Sequence, residues 1–400
     1  MSTSAREPVV VTHALRTPIG KFLGAFEPLS AADLGAALVT ELVSRAGLAE
    51  GVVDELIFGN GRQAGGGPNV ARQVSVRAGL GVETPAWTVN MACGSGLKAI
   101  ALAAERIRLG LADAVVAGGT ESMSGLPFFL PKMRAGYRLG NAKVVDAMYQ
   151  DGFVCPLADM VMGETAEKLA QDMGIGREEQ DRFALESQHR SEAARAAHRF
   201  DDELVPVTAP GRKGDVVVER DEHPRDGATL EGLAKLPPVF DGEKGSVTAG
   251  NSSGITDGAA ALLVLSASKA EELGLEPLAY VGPSAEGGVD PQVMGLGPVP
   301  ANEELTALTG RHVQEYDLIE LNEAFAAQVL ACHRRMELPM ERLNVNGGAI
   351  SLGHPIGATG ARIVVTLLHE LKRRGGEHGL ATLCISGGQG LASAFHRTGL

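Results

Sequence analysis

Hydrophobic positions along the chain follow two alternating rhythms. Short β-branched or apolar runs read as strands, and longer stretches with apolar residues every three to four positions read as helices. Pro8 to Thr12 is the first strand-like run, and Ala31 to Arg45 is the first stretch with helical spacing. Glu55 to Gly59 and Ala86 to Asn90 read as two more strands. Leu97, Ile100, Ala104, Ile107 and Leu111 then share one helical face, and Ala112 to Ala117 is a strand that the pattern closes at Gly118-Gly119. After residue 246 the rhythm resumes. Ala259 to Leu265 and Leu318 to Leu321 are strand-like, Gly360 to Leu371 is helical, and Ala381 to Ser386 is a strand closed by Gly387-Gly388. Such alternation predicts an α/β sheet covered by helices.

Residues 121–245 break the rhythm. They hold Pro- and Gly-rich turns, one strong helix from about Arg177 to Ala197, and charged loops such as Arg212 to Asp226. A stretch of this length is too long for a structureless connection, so it reads as an inserted loop domain. The flanking stretches echo each other. Asn90 to Gly119 and Asn346 to Gly388 each run through an Asn-anchored Gly-rich turn, a helix, a strand and a Gly-Gly pair. An internal duplication is expected, with 1–120 plus 246–270 as one half, 121–245 as the inserted domain and 271–400 as the other half.

Composition narrows the function. The 400 residues are 44% hydrophobic, enough for a substantial core, and carry a formal net charge of −13. That charge argues against nucleic acid or an anionic membrane as partner, and any anionic ligand must be held by local groups. No apolar stretch reaches the roughly 18 residues of a membrane span. Met1 to Pro8 has no apolar signal core. A soluble, cytoplasmic protein is expected. The four cysteines, Cys93, Cys155, Cys332 and Cys384, form no close pair, and no metal-ligand spacing is present. The open question is whether a cysteine is catalytic.

Cys93 follows the strand Ala86 to Asn90 and precedes a Gly94-Ser95-Gly96 turn that opens a helix. Backbone N–H groups and the helix dipole favour a thiolate there. A buried core cysteine is the competing reading. His354 lies in the Gly-dense segment Asn344 to Gly360, where a base could reach Cys93, or could instead cap a helix. Cys384 stands near a strand end beside Ser386-Gly387-Gly388, with core packing as its alternative. Asn322 lies just past a strand, where α/β sheets place ligands, or else caps the next helix. Loose dinucleotide-like turns at Gly59 to Ala64 and Gly94 to Ala99 lack the acidic residue such sites need. Gly250-Asn251-Ser252-Ser253-Gly254 fits a nucleophile-elbow pattern, but a strand follows it rather than a helix.

Together these clusters resemble the signature set of the thiolase family. Asn90-Met91-Ala92-Cys93-Gly94-Ser95-Gly96, Asn322-Glu323-Ala324-Phe325, Asn346-Gly347-Gly348 through Gly353-His354-Pro355 and Gly357, and Cys384 to Gly390 occur in the family's order over essentially the whole chain. Thr248 to Gly254 and Met294 to Pro298 also look like thiolase segments. The resemblance implies two duplicated βαβαβ-type halves in a five-layer αβαβα arrangement, with the loop domain covering a coenzyme A site. It implies an acyltransferase that condenses two acetyl-CoA to acetoacetyl-CoA and CoA, or runs the reverse thiolysis, by a ping-pong route. Cys93 would carry the acyl group. His354 would activate it, Cys384 would move the α-proton, and Asn322 would hold a water in one oxyanion hole. Backbone N–H groups of Cys93 and Ser386 would form the second. Ser253 would contact the pantetheine arm, Arg225 the nucleotide end, and Met294 the tunnel. No metal or redox cofactor is expected, with coenzyme A serving as substrate and product. Partners would be acetyl-CoA, 3-ketoacyl-CoA, CoA and further copies of the chain in a dimer or tetramer, with residues about 123–145 as the tetramer contact.

Two departures bear on the acyl chain. Many members carry Gly where Ser386 stands, and many short-chain biosynthetic members carry His where Val161 stands. A degradative 3-ketoacyl-CoA thiolase with longer substrates is therefore the alternative. Phe153 and the Phe128-Phe129 pair are further candidates to narrow an acyl pocket. A ketoacyl synthase of the same superfamily would pair its nucleophile with two histidines, and Cys384 speaks against it.

Overall fold

The strands predicted in the two outer stretches all form, and they join into one sheet. In the computed structural model, which describes residues 7–398, these strands are β1 (Val9–Arg16), β2 (Glu55–Gly59), β3 (Ala86–Val89), β4 (Ala114–Glu121), β5 (Thr256–Ser266), β6 (Ala279–Gly288), β7 (Leu318–Leu321), β8 (His378–Ile385) and β9 (Gln389–His396). Most of Met1 to Pro8, read above for a signal core, lies outside the described residues. The sheet is ten-stranded, in the order β7-β8-β9-β6-β1-β5-β4-β2-β3, with the short strand Gly20–Lys21 paired to β5.

The duplication is visible in this order. In the first half, β2 runs parallel to β3 and β4, and β5 is antiparallel to β4 and β1. In the second, β7 runs parallel to β8, and β9 is antiparallel to β8 and β6. A single parallel bridge, Ile319 to Leu343, stands where the first half has its edge strand β3. The halves meet where β1 pairs with β6 through Val10–Tyr280 and Val11–Ala279.

Helices α1 (Ala31–Arg45), α2 (Ser95–Arg108), α3 (Met162–Met173), α4 (Arg177–Ala196), α5 (Pro298–Thr309), α6 (Ala326–Met336) and α7 (Ile356–Arg374) complete the frame. Side chains alternate across each strand, so one strand feeds two cores. On β5, Ala260, Leu262 and Val264 pack with α2 and α7, while Ala259, Ala261, Leu263 and Leu265 pack with α1. In the second half, Leu380, Ala392 and Ala394 face outward onto α5 and α6. The layers are therefore helices, half-sheet, the α2–α7 pair, half-sheet, helices. Each fully buried Leu, Ile or Val in them contributes roughly 1.5–3 kcal/mol.

The central pair lies backbone against backbone at one end. A Cβ on Gly360 of α7 would sit 2.3 Å from the Leu97 nitrogen, and one on Gly96 of α2 would sit 2.8 Å from the Ala361 nitrogen. Only glycine permits this approach. It draws the N-terminal ends of both helices, and so Cys93 and His354, to one place.

Three local readings change. Gly118-Gly119 does not close a strand, because β4 continues through both residues to Glu121. They are glycines for close packing: a Cβ would lie 2.1 Å from the Ala260 carbonyl oxygen at Gly118 and 2.0 Å from that of Gly357 at Gly119. The inserted stretch holds two long helices, α3 and α4, rather than one. Its charged segment near Arg212 is a hairpin of Val207–Ala209 with Val216–Val218. Buried Arg16 ties this stretch to the sheet, donating to Glu203 at 2.6 Å and Asp221 at 2.7 Å.

Candidate active site

Cys93 sits in the single 3-10 turn Ala92–Gly94 that leads into α2. The turn is held by its own side chains. Asn90 Oδ1 accepts from the Ala92 N–H at 3.0 Å, and Ser95 Oγ accepts from Met91 N–H at 2.9 Å while donating to the Ala92 carbonyl at 2.7 Å. Ala92 is held at φ +46°, a left-handed conformation unusual for a residue with a Cβ. Strain of this kind concentrates at functional sites. Cys93 is partly exposed to a cavity of about 520 Å³.

His354 faces it, 7% exposed, with Nε2 3.3 Å from Cys93 Sγ. Thr359, one turn into α7, fixes the ring. Its hydroxyl donates to the Pro355 carbonyl at 2.9 Å and so accepts from His354 Nδ1–H at 2.6 Å. The Nε2 lone pair is thereby left for Cys93 and for Asn322 Nδ2, 3.5 Å away. Burial, then the charges of Arg62 and Arg362, push His354 down to about 3. It is a neutral imidazole at physiological pH. Burial likewise pushes the Cys93 thiol up, opposed by the Arg62 charge and by the backbone N–H of Ser386.

Asn322 is fully buried after β7, and its Oδ1 has no partner among the described residues. It does not cap α6, whose N-cap is Phe325. His354 does not cap α7 either, since Pro355 holds that place. Cys384 lies one residue before the end of β8 at 1% exposure, packed with Met294, Ala324, Met162 and Phe325. Burial, then the neighbouring Cys93 and Cys332, hold its thiol well above the ordinary range, so it is protonated. Both competing readings of Cys384 are partly met: it is a strand residue in a core cluster, and it also lines the cavity.

The same cavity is lined by Ser386, Ser253, Arg225 and Met294, so every predicted site residue except buried Asn322 borders it directly. Val161 and Phe153 line it as well, whereas Phe128 and Phe129 lie on a short separate strand paired with Val145–Asp146. Met123, Ile356 and Phe153 cluster beside Cys93 and give that end an apolar wall.

Sequence reasoning missed four residues with clear parts in the site. Thr359 orients His354. Glu121, at the end of β4, gathers the N–H groups of Gly61 (2.9 Å), Arg62 (3.1 Å) and Gly357 (2.8 Å), tying the loop after β2 to the start of α7. Glu323 accepts from Ser187, Asn344 and the Ile350 N–H, which clamps the loop carrying His354. Arg62 lines the cavity itself. Thr359 and Glu323 lay inside the quoted motifs, but nothing in sequence shows what a side chain points at. Among the described residues no group of His, Cys, Asp or Glu is arranged to hold a metal ion, and no helix is long and apolar enough to cross a membrane.

Comparison with known proteins agrees with this geometry. The thiolase N-terminal domain matches residues 9–268 and the thiolase C-terminal domain matches residues 275–397. An acetyl-CoA acetyltransferase of Cupriavidus necator is 52% identical over 97% of this chain and 99% of its own length. One of Escherichia coli is 49% identical over 97% and 98%. Among solved structures, the acetyl-CoA acetyltransferase of Bacillus anthracis superposes with a TM-score of 0.96 at 43% identity, covering 99% of this chain and 100% of that one. Human mitochondrial 3-ketoacyl-CoA thiolase gives 0.95 at 40% identity, with the same coverage. Fold, motif order and relatives agree: the chain belongs to the thiolase family.

Proposed function

We propose that the chain is an acetyl-CoA acetyltransferase, converting two acetyl-CoA to acetoacetyl-CoA and CoA and catalysing the reverse thiolysis. The observation that carries this is the 3.3 Å approach of His354 Nε2 to Cys93 Sγ in one cavity with Cys384 and Ser386. His354 takes the thiol proton, Cys93 attacks the acetyl thioester carbonyl, and CoA leaves with the proton of Cys384. The Cys384 thiolate so formed takes an α-proton from the second acetyl-CoA, whose enolate attacks the acetyl-enzyme and releases Cys93, which recovers its proton from His354. A thiol held well above its ordinary pKa suits a group that must also return a proton.

Both tetrahedral and enolate oxygens need preorganised donors, each worth about 10²–10³ in rate. The Ser386 N–H, already directed at the Cys93 sulfur, supports a hole formed with the Cys93 N–H. Asn322, with its unpartnered Oδ1, supports a water held beside His354. Ser253, Met294 and the exposed Arg225 are the contacts assigned to CoA, and Lys21 lines the same cavity. Local cations of this kind are what a chain of net charge −13 needs to hold the CoA phosphates. Each step is served by side chains and backbone, so the reading assigns no metal or redox cofactor. A cytoplasmic location and a homodimer or homotetramer belong to the same reading.

Longer 3-ketoacyl-CoA substrates rank second, because full-length relatives at about half identity carry the acetyltransferase name. The test is kcat/KM for acetoacetyl-CoA against a 3-ketoacyl-CoA series with free CoA, with intact-mass detection of the acetyl adduct. Acetoacetyl-CoA should lead, and Cys93→Ala should abolish the adduct. Negligible turnover at every chain length, or an adduct that moves to Cys384, would overturn the assignment.

A further inference from the structure

Arg62 is a buried charge whose guanidinium makes no ion pair among the described residues, although the Glu121 carboxylate lies close enough to feel its charge. It is 7% exposed and lines the catalytic cavity with Cys93, His354 and Cys384. Among the described residues its guanidinium has one weak hydrogen bond, 3.5 Å from Nη1 to the Gly61 carbonyl, and its Nε is buried with no partner. The carboxylate nearby in the fold, Glu121, already accepts from three backbone N–H groups and from Asn60 Nδ2 at 2.7 Å. A buried guanidinium left unpaired is costly, so such groups are kept where an anion forms beside them. The inserted stretch makes room for it. A Cβ on Gly152 would sit 2.4 Å from Arg62 Nε, so the turn Tyr149–Phe153 packs glycine against the guanidinium.

We propose that Arg62 is the counter-cation of the Cys93 thiolate, a positioning residue that favours ionisation of the nucleophile independently of His354. This rests on the reading of Cys93 as the nucleophile. The groups facing Cys93 are His354, Cys384, Arg62 and Glu121 with the Ser386 N–H. Of the charged ones, Glu121 opposes the thiolate and Arg62 favours it. His354 alone is a weak partner, because burial and the same Arg62 charge hold it neutral. The site therefore places a fixed charge, which needs no proton, in the cavity where the thiolate forms.

The test uses the full-length enzyme without CoA substrates. Cys93 alkylation by iodoacetamide is followed against pH by mass of the Cys93 peptide, in wild type, Arg62→Met and Arg62→Lys. An opposite charge a few ångströms away shifts a pKa by roughly one to three units, so Arg62→Met should move the alkylation midpoint up by about one unit. Near pH 7 its rate should fall about tenfold, and Arg62→Lys should recover most of it. Far-UV and near-UV circular dichroism identify a misfolded variant, in which case Arg62→Gln replaces Arg62→Met. An unmoved midpoint, or equal shifts in the Lys and Met variants, overturns the proposal. An unmoved midpoint with a raised KM for a 3-ketoacyl-CoA ending in a carboxylate would assign Arg62 to substrate instead. Absence of acetoacetyl-CoA turnover would count against the proposed function but leave this readout intact.

Discussion

At the scale of single residues, burial pushes Cys93 and His354 toward their uncharged forms, and hydrogen bonds decide the direction in which the proton can move. Thr359 holds the imidazole so that its lone pair meets the thiol. Thr359→Val keeps the shape and removes the acceptor for Nδ1–H, freeing the ring to adopt the other tautomer. We expect kcat/KM to fall by about 10²-fold, in the range of lost general-base assistance. Tm should change little and Thr359→Ser should rescue, and equal activity in the Val and Ser variants would refute this role. The low His354 pKa also has a stability consequence. Above the ordinary value of 6.5 the ring is neutral folded or unfolded, and between 6.5 and about 3 only the unfolded chain takes the proton. Stability from this group is therefore full at neutral pH and is lost as pH falls. At pH 5 the loss is roughly 2 kcal/mol. Urea midpoints at pH 7 and pH 5 should drop less for His354→Asn than for wild type. Cys93, His354, Cys384 and Asn322 could be singled out in sequence because short motifs mark them, Gly-rich for the first three and Asn322-Glu323-Ala324-Phe325 for the last. Arg62 and Glu121 were not, because their parts depend on what the fold brings opposite them.

Among the elements, close backbone contact matters more than side-chain volume. Helix boundaries at Ala31–Arg45 and strand boundaries at Glu55–Gly59 and Leu318–Leu321 follow directly from apolar periodicity. The Gly-Gly pairs show where that reading stops. Gly387 and Gly388, at φ +87° and +84°, do turn the chain between β8 and β9, whereas Gly118-Gly119 runs through a strand under α7. Both pairs look alike in sequence, since the partner that demands a missing Cβ lies far along the chain. Helix α3 was missed because it begins inside a turn-rich stretch and its N-cap is Val161, with Glu164 accepting from the Val161 N–H at 2.7 Å but no capping side chain at the N-cap itself. The α2–α7 contact gives a sharp prediction. In Gly360→Ala the new methyl meets the Leu97 backbone, which cannot swing aside as a side chain would. The helix ends should separate and carry Cys93 from His354. A misplacement near 1 Å can cost about 10² in rate, so kcat/KM should fall by that order while the protein stays folded. Wild-type activity in this variant would show that the helices need not touch.

For the whole molecule, the inserted stretch is joined to the sheet by the buried Arg16–Glu203 and Arg16–Asp221 pairs and closes over the cavity through Phe153, Val161 and Phe240. Its segment from 130 to 144 exposes Leu130, Met133, Leu139 and Val144. Apolar side chains grouped on a surface support the reading of this segment as a subunit contact. Met133→Glu with Leu139→Glu should lower the mass measured by size-exclusion chromatography with light scattering, and an unchanged mass would move the contact elsewhere. The symmetric frame was legible as an echo between two sequence stretches. The asymmetric use of that frame was legible too, because the motif residues fall unevenly between the two stretches.

That asymmetry divides the chemistry between the repeats. Cys93 belongs to the first half, and His354, Cys384 and Asn322 belong to the second. The chain passes between halves through the single span from Ser266 to Ala279, past exposed Glu271, Glu272 and Glu276. A break there would give one fragment with Cys93 and no His354, and another with His354 and no Cys93. Neither could turn over alone, and restored activity on mixing would report their reassociation. In this architecture the repeat is also a lock: two copies of one motif that hold no chemistry apart and all of it together.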